Sequence, residues 1–298
     1  MKIMRQIFGI AGLLVSNAAF ADYWCPPGPE EEVRARGECV DASPRDVKNH
    51  REKWYAASRK EAQQLPVVNY VWFTRKRWQS AADDVAKEIE STLRYPLFVK
   101  PAFEGSGKGV TARSVCRNRS QLVRQVSKLL ATYAEPVLIE TYLSGPEFTV
   151  AVLGNGPDAR CLPVVGMDFE TLPKGAPPIY GYEAKWLWDS PRHPLHIFEC
   201  PARIPEELAM QVRAAALGAY HALECRDWCR IDIRCDAANR PMVVELNPLP
   251  GILPDPRDNS CFPKAARAAG MSYDDLIRTV ADIAWRRISG RSLLAEVA

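Results

Sequence analysis

Two short runs near the carboxy-terminal end, Arg230-Ile231-Asp232-Ile233 and Val244-Glu245-Leu246-Asn247, constrain the fold of this chain more than any other stretch. Each alternates polar and apolar residues with period two, the spacing of a strand that buries one face. Ala237-Ala238-Asn239-Arg240 supplies a turn between them, so the pair is predicted to form an antiparallel hairpin. Arg230 and Asp232 then share a face, as do Glu245 and Asn247 on the partner strand, while Ile231, Ile233, Val244 and Leu246 are assigned to the core. Two carboxylates and an amide oxygen are hard donors of the kind Mg²⁺ takes when phosphates complete its octahedron. Spacing alone leaves a second reading open, a surface hairpin held by a salt bridge.

The rest of the chain supplies enough material for a large core: 298 residues, 47% hydrophobic and 25% charged, which rules out intrinsic disorder. A formal charge of +3 is too balanced for an electrostatic nucleic-acid or membrane-surface binder, so neither partner is expected. The nine cysteines include no CxxC pair and read as buried reduced thiols. Lys2 and Arg5 precede an apolar run from Ile7 to Val15 and then Ala19-Phe20-Ala21, the pattern of a secretory signal, too short to span a membrane. Trp24 to Pro44 is linker-like. Strand patterns at 67–73, 97–100, 110–115, 137–140, 147–153 and 161–169 are interspersed with helical spacing over 45–64, 82–93, 121–132, 205–223 and 273–288. That mixture predicts an α+β fold with antiparallel sheets.

Two further segments carry chemistry. Lys100 ends a buried strand and is followed by Gly105, Gly107 and Gly109, a loop whose backbone N–H groups can approach phosphates closely, although it lacks the spacing of a Walker loop. Val137 to Leu143 is a buried strand that runs into a polar, aromatic stretch suited to holding a base.

From about Arg51 to Ile283 these pieces, in order, resemble the D-alanine:D-alanine ligase family. The matching motifs include Phe98-Val99-Lys100-Pro101, Glu104-Gly105-Ser106, Ser144-Gly145-Pro146-Glu147-Phe148-Thr149-Val150, Tyr182-Glu183-Ala184-Lys185, Arg230-Ile231-Asp232, Glu245-Leu246-Asn247 and Ala265-Ala266-Arg267-Ala268-Ala269-Gly270-Met271-Ser272. The resemblance implies an ATP-grasp fold, two α+β subdomains with mainly antiparallel sheets sandwiching the nucleotide. Residues 1–43 would be a signal-like segment and linker, 44–142 the small subdomain, and 143–298 the large subdomain with the metal hairpin. It also implies an ATP- and Mg-dependent ligation through an acyl phosphate, as in peptidoglycan dipeptide synthesis. Lys100 and Lys185 would hold ATP phosphates, with Lys53 as a further candidate. Glu140, Tyr142 and Leu143 would line the adenine site and Glu147 would take the ribose hydroxyls. Asp232, Glu245 and Asn247 would bind two Mg²⁺, with Mn²⁺ as an alternative metal. Arg230 would stabilise the tetrahedral oxyanion, Ser106 would lie over the phosphates or the first substrate, and Ser260 would hold the second substrate's carboxylate.

Some positions depart from the family pattern. No counterpart of its amino-terminal domain is seen, Trp186 stands where the family has tyrosine, and Pro248-Leu249 replaces small polar residues. The loop from Ile252 to Asn259 is longer, and Cys261 replaces leucine. The expectation is a chain that binds ATP but makes D-alanyl-D-alanine poorly. A nucleotide-binding protein without ligation and an exported binding domain are the alternatives. Amino acids are the expected partners, with a homodimer as an option, and the need for ATP favours the cytoplasm over export.

Overall fold

The computed structural model describes residues 65–105, 107–133, 135–189 and 195–293. The signal-like start, the linker, the helix expected over 45–64, Lys53 and Ser106 lie outside the described residues.

One antiparallel sheet contains β1 (Tyr70–Phe73), β2 (Leu97–Pro101), β3 (Val115–Cys116) and β4 (Val137–Thr141), in the order β1-β4-β2-β3. Helices α1 (Arg75–Thr92) and α2 (Arg119–Thr132) cover one of its faces. Thr74 and Asn118 start them, each side chain accepting a hydrogen bond from a first-turn N–H. Trp78, Val85 and Ile89 of α1 and Leu122, Val126 and Leu129 of α2 pack on Phe73, Leu97, Val99 and Ile139. Strand alternation therefore turns Phe98, Lys100 and Glu140 to the opposite face.

The second sheet is built from β5 (Glu147–Leu153), β6 (Arg160–Cys161), β7 (Val165–Met167), β8 (Phe198–Glu199), β9 (Trp228–Cys235) and β10 (Pro241–Asn247). Its order is β10-β9-β5-β7-β8, with β6 also on β5, and every named pairing is antiparallel. Helix α3 (Glu206–Ala222) covers one face, where Val212, Ala216 and Ala219 meet Phe148, Val150, Ile231, Ile233 and Leu246. Tyr220 of α3 is buried, and its hydroxyl donates to the Gly154 carbonyl at 2.8 Å. On the other face α4 (Cys261–Ala268) and α5 (Tyr273–Ser289) bury Ala151, Leu153 and Val165 beneath Phe262, Ala265 and Leu276.

Several features differ from the sequence expectation: the stretch read as one strand over 161–169 forms two, β6 and β7, and α1 begins at Arg75 and not at 82. A bulge between Val243 and Glu245 puts Val243 in the core and turns Val244 out, so the residue assigned to the core is its neighbour. Residues 110–115 do not form a strand. Thr111 and Ser114 hydrogen-bond each other's backbone and wind 112–114 into a single turn, leaving Val115 and Cys116 to pair. Helix α4 was not anticipated; it is short, and Ser260 at its N-cap makes no capping bond. Val67 lies outside β1 and bridges Val243 of the second sheet, with Leu65 packed on the same core. The seven described cysteines are free, with Cys116, Cys229 and Cys235 buried. Among the described residues no helix is long and apolar enough to cross a membrane.

Ile231 lies wholly buried at the centre of the second core, on the reverse of the strand that carries Arg230 and Asp232. Ile231→Ala should destabilise the fold by about 2–5 kcal/mol, the usual cost of a buried aliphatic truncation. Urea unfolding monitored by circular dichroism would show it as a lower midpoint at similar slope.

Candidate active site

The polar face of the second sheet is laid out in cross-strand rows. Glu147 pairs with Arg234 across β5 and β9, Thr149 and Glu245 flank Asp232, and Ala151 and Asn247 flank Arg230. Residues two apart on one strand share a face, so Arg230, Asp232 and Arg234 all project to the same side. This face meets the polar face of the first sheet across a cleft of about 1050 Å³, counting the solvent at its mouth. Lys100, Glu140, Tyr142 and Leu143 line it from one side, and Glu147, Asp232, Arg234 and Glu245 from the other, with Lys185 also at its wall.

Three ion pairs line or adjoin the cleft, Lys100–Glu140, Arg230–Asp232 and Arg234–Glu147. Lys100 Nζ lies 2.7 Å from Glu140 Oε2, both side chains being more than nine-tenths buried. Arg230 grips Asp232 with two parallel hydrogen bonds of 3.0 and 2.8 Å, and Thr149 donates to Asp232 Oδ1 at 2.8 Å. Burial and then the Asp232 carboxylate push Glu245 up from the usual carboxylate range, while Arg230, Lys185 and Lys100 pull it back. Burial likewise raises Glu147, against the pull of Arg234.

Asp232, Glu245 and Asn247 thus stand in adjacent rows, a set of oxygen donors with only two carboxylates. Among the described residues no group of three or more His, Cys, Asp or Glu is placed to hold a metal. Two carboxylates and an amide suit Mg²⁺ whose remaining ligands come from phosphates and water, and they do not make a closed protein cage. Asn247 Oδ1 also accepts the Leu249 N–H at 3.1 Å, which fixes the turn that leaves β10.

The glycine loop is held by close contacts. Gly109 has φ +75°, and a Cβ there would come within 2.3 Å of the Pro101 ring. A Cβ on Gly107, also at φ +75°, would come within 3.2 Å of the Gly181 backbone. Tyr182 N donates to Val110 O at 2.9 Å, joining the loop to the short π-helical turn Ala184–Trp188 that presents Lys185. Lys185 Nζ lies 5.3 Å from the Tyr180 ring centroid, a cation–π contact. The Tyr180 hydroxyl donates to Asp189 at 2.8 Å, and Asp189 also accepts from Asn259 and from Leu195 N.

Ser260 is buried and does not line the cleft. Its hydroxyl donates to Gly251 O at 2.9 Å and accepts from Leu253 N at 3.1 Å, closing the loop before α4. Arg234, Thr149, Tyr180 and Asp189 were not singled out from the sequence. Arg234 and Thr149 had a readable signal, since Arg234 continues the Arg230-x-Asp232 alternation and Thr149 faces Asp232 in register. Tyr180 and Asp189 had none, because a π-helical turn brings them together.

The sequence pattern described as D-ala D-ala ligase C-terminus matches residues 60–282. A D-alanine--D-alanine ligase of Bordetella avium is 36% identical over 195 residues, which are 65% of this chain and 56% of that ligase. The chain spans a little over half the length of the curated relatives it matches. The VanG D-Ala:D-Ser ligase of Enterococcus faecalis superposes with a TM-score of 0.58 at 24% identity, covering 78% of this chain and 59% of that one. D-alanine--D-alanine ligase of Bacillus anthracis, solved in complex with ATP, gives 0.56 at 22% identity, covering 79% and 67%. At that identity the likeness shows the fold, which is ATP-grasp.

Cys261, at the first position of α4, stands by Thr149, Arg230, Asp232 and Lys185, and burial pushes its thiol up to about 12. Since only the thiolate alkylates, iodoacetamide at pH 8 should modify Cys261 more than about a hundredfold more slowly in the folded chain than in urea. Peptide mass spectrometry over a time course checks this.

Proposed function

The chain belongs to the D-alanine:D-alanine ligase family, by that family's carboxy-terminal domain, and we propose that it binds ATP in the cleft between its sheets and spends it on amide ligation. The observation that carries this proposal is the convergence of Lys100 and Lys185 with Asp232 and Glu245 on one cleft, with Arg230 and Asn247 in the adjoining row of the same hairpin. Cations so arranged suit phosphate, and the oxygen donors suit a divalent ion.

In this proposal one amino acid's carboxylate is phosphorylated, a second amino acid's amine attacks the acyl phosphate, and phosphate leaves. Mg²⁺, held by Asp232, Glu245 and Asn247, would neutralise phosphate charge when bound. Lys100 reaches the phosphates from the first sheet, and its contact with Glu140 fixes its ammonium in place. Lys185 approaches from the other side, oriented by the Tyr180 ring. Tyr142 and Leu143 form the wall for adenine, and Glu147 receives the ribose hydroxyls. Arg230 is held in a fixed plane by its two bonds to Asp232 and so is preorganised to face charge that develops at the reacting carbon. Ser260 would serve the second substrate's carboxylate by exchanging its bond to Gly251 O. An ATP-consuming reaction of this kind suits the cytoplasm.

Calorimetric titration with Mg-ATP is the direct test. Binding should be seen with the wild-type chain, and Asp232→Asn with Glu245→Gln should cut the Mg-dependent affinity at least about tenfold, because both anionic donors are lost. Unchanged affinity would exclude this metal site. Product analysis by mass spectrometry, with amino acids supplied, separates ligation from nucleotide binding alone.

Arg230→Lys keeps the charge beside Asp232 but loses the planar fork. It should lower kcat of ligation by about a hundredfold while changing ATP affinity only slightly. A comparable loss of ATP affinity would assign Arg230 to the ground state instead.

A further inference from the structure

Arg234 is a buried cation, 6% exposed, in the wall of the nucleotide cleft. One terminal nitrogen donates to Glu147 Oε2 at 2.8 Å and the other to the Pro178 carbonyl at 2.7 Å. Its guanidinium carbon lies 5.4 Å from the Tyr142 ring centroid and 5.1 Å from that of Phe169. Arg234 therefore ties together the segment leaving the first sheet, two strands of the second and the proline-rich loop.

The arrangement is not one that stability would select. Two charges withdrawn from water recover little net free energy, and apolar residues of the same volume commonly do as well. The Arg234 Nε–H is moreover buried with no hydrogen-bond partner among the described residues, a further cost. What the pair provides is a largely buried carboxylate whose orientation is fixed through Oε2, leaving Oε1 for a ligand. An ionised carboxylate accepts hydroxyl protons in charge-assisted bonds, whereas a protonated one has lost part of that capacity.

Resting on the nucleotide function proposed above, we infer that Arg234 is the positioning residue for ribose recognition, orienting Glu147 through their ion pair so that the cleft discriminates nucleotides by their ribose hydroxyls. Arg234 itself does not touch the sugar in this scheme. Its aromatic neighbours and the Pro178 bond keep the guanidinium from swinging away when the cleft fills.

The test compares calorimetric affinities for Mg-ATP and Mg-2′,3′-dideoxy-ATP. The wild-type chain should prefer ATP by about tenfold or more, the worth of one or two charge-assisted bonds. Arg234→Met, of similar length and uncharged, should bring that preference within about twofold, and Arg234→Lys should retain most of it. Glu147→Gln should lose it, and the double substitution with Arg234→Met, which leaves no unpaired buried charge should the single variant fold poorly, should lose no more than Glu147→Gln alone. Thermal melting shows any general loss of stability separately. A preference unchanged in Arg234→Met, or a double variant that loses the sum of two independent effects, would overturn the role of Arg234. A wild-type chain that binds neither nucleotide would overturn the proposed function with it.

Discussion

Charge pairing on the polar side of β5, β9 and β10 is the constraint from which the cleft takes its form. The reverse side of these strands is filled by Phe148, Ile231, Ile233 and Leu246, so their register cannot slip by one residue without turning Asp232 and Arg234 into an apolar core. On the open side the arginines and the opposing lysine each have a carboxylate partner, while Glu245 stands beside the like-charged Asp232. Arg230 answers Asp232 and Arg234 answers Glu147, while Lys100 and Glu140 do the same on the opposing sheet. Leaving any one of these unpaired would be expensive, so the set holds together as a network.

That network also explains the division of labour between the two sheets. The first is thin and carries its helices on one side, so its free face can approach the second. Its contribution to the cleft is small, essentially Phe98, Lys100 and Glu140 with the segment that follows β4. The second sheet is wider and bears the rows of acids and arginines. A polyanionic ligand between them would be met by lysine from both directions and by carboxylates from one, an asymmetry that suits a metal-bound phosphate chain.

Much of this was legible in the sequence because it follows from period-two spacing. The Arg230–Asp232 and Glu245–Asn247 faces, the strand ending in Lys100 and the α3 stripe at Val212, Ala215 and Ala219 all emerge from alternation or helical periodicity. What stayed hidden depends on contacts that no local pattern encodes. Thr111 and Ser114 redirect their own backbone, so apparent alternation over 110–115 does not make a strand. Arg234 was present in the alternation, but its importance comes from Glu147, Tyr142, Phe169 and Pro178, which are distant in sequence. Asp189 joins the Lys185 turn to the loop before Ser260 only because the chain folds back over itself.

The bulge in β10 gives the hairpin an unusual tolerance of length. Val243 faces the core, Val244 and Glu245 both face the cleft, and Leu246 returns to the core. Removing either valine yields the same sequence, because the two are identical, and restores simple alternation with Glu245 and Asn247 still facing the cleft. Removing Leu246 instead would carry Asn247 into the core. At this one place the chain can lose a residue, widening the cleft by a single isopropyl group, without moving the acids.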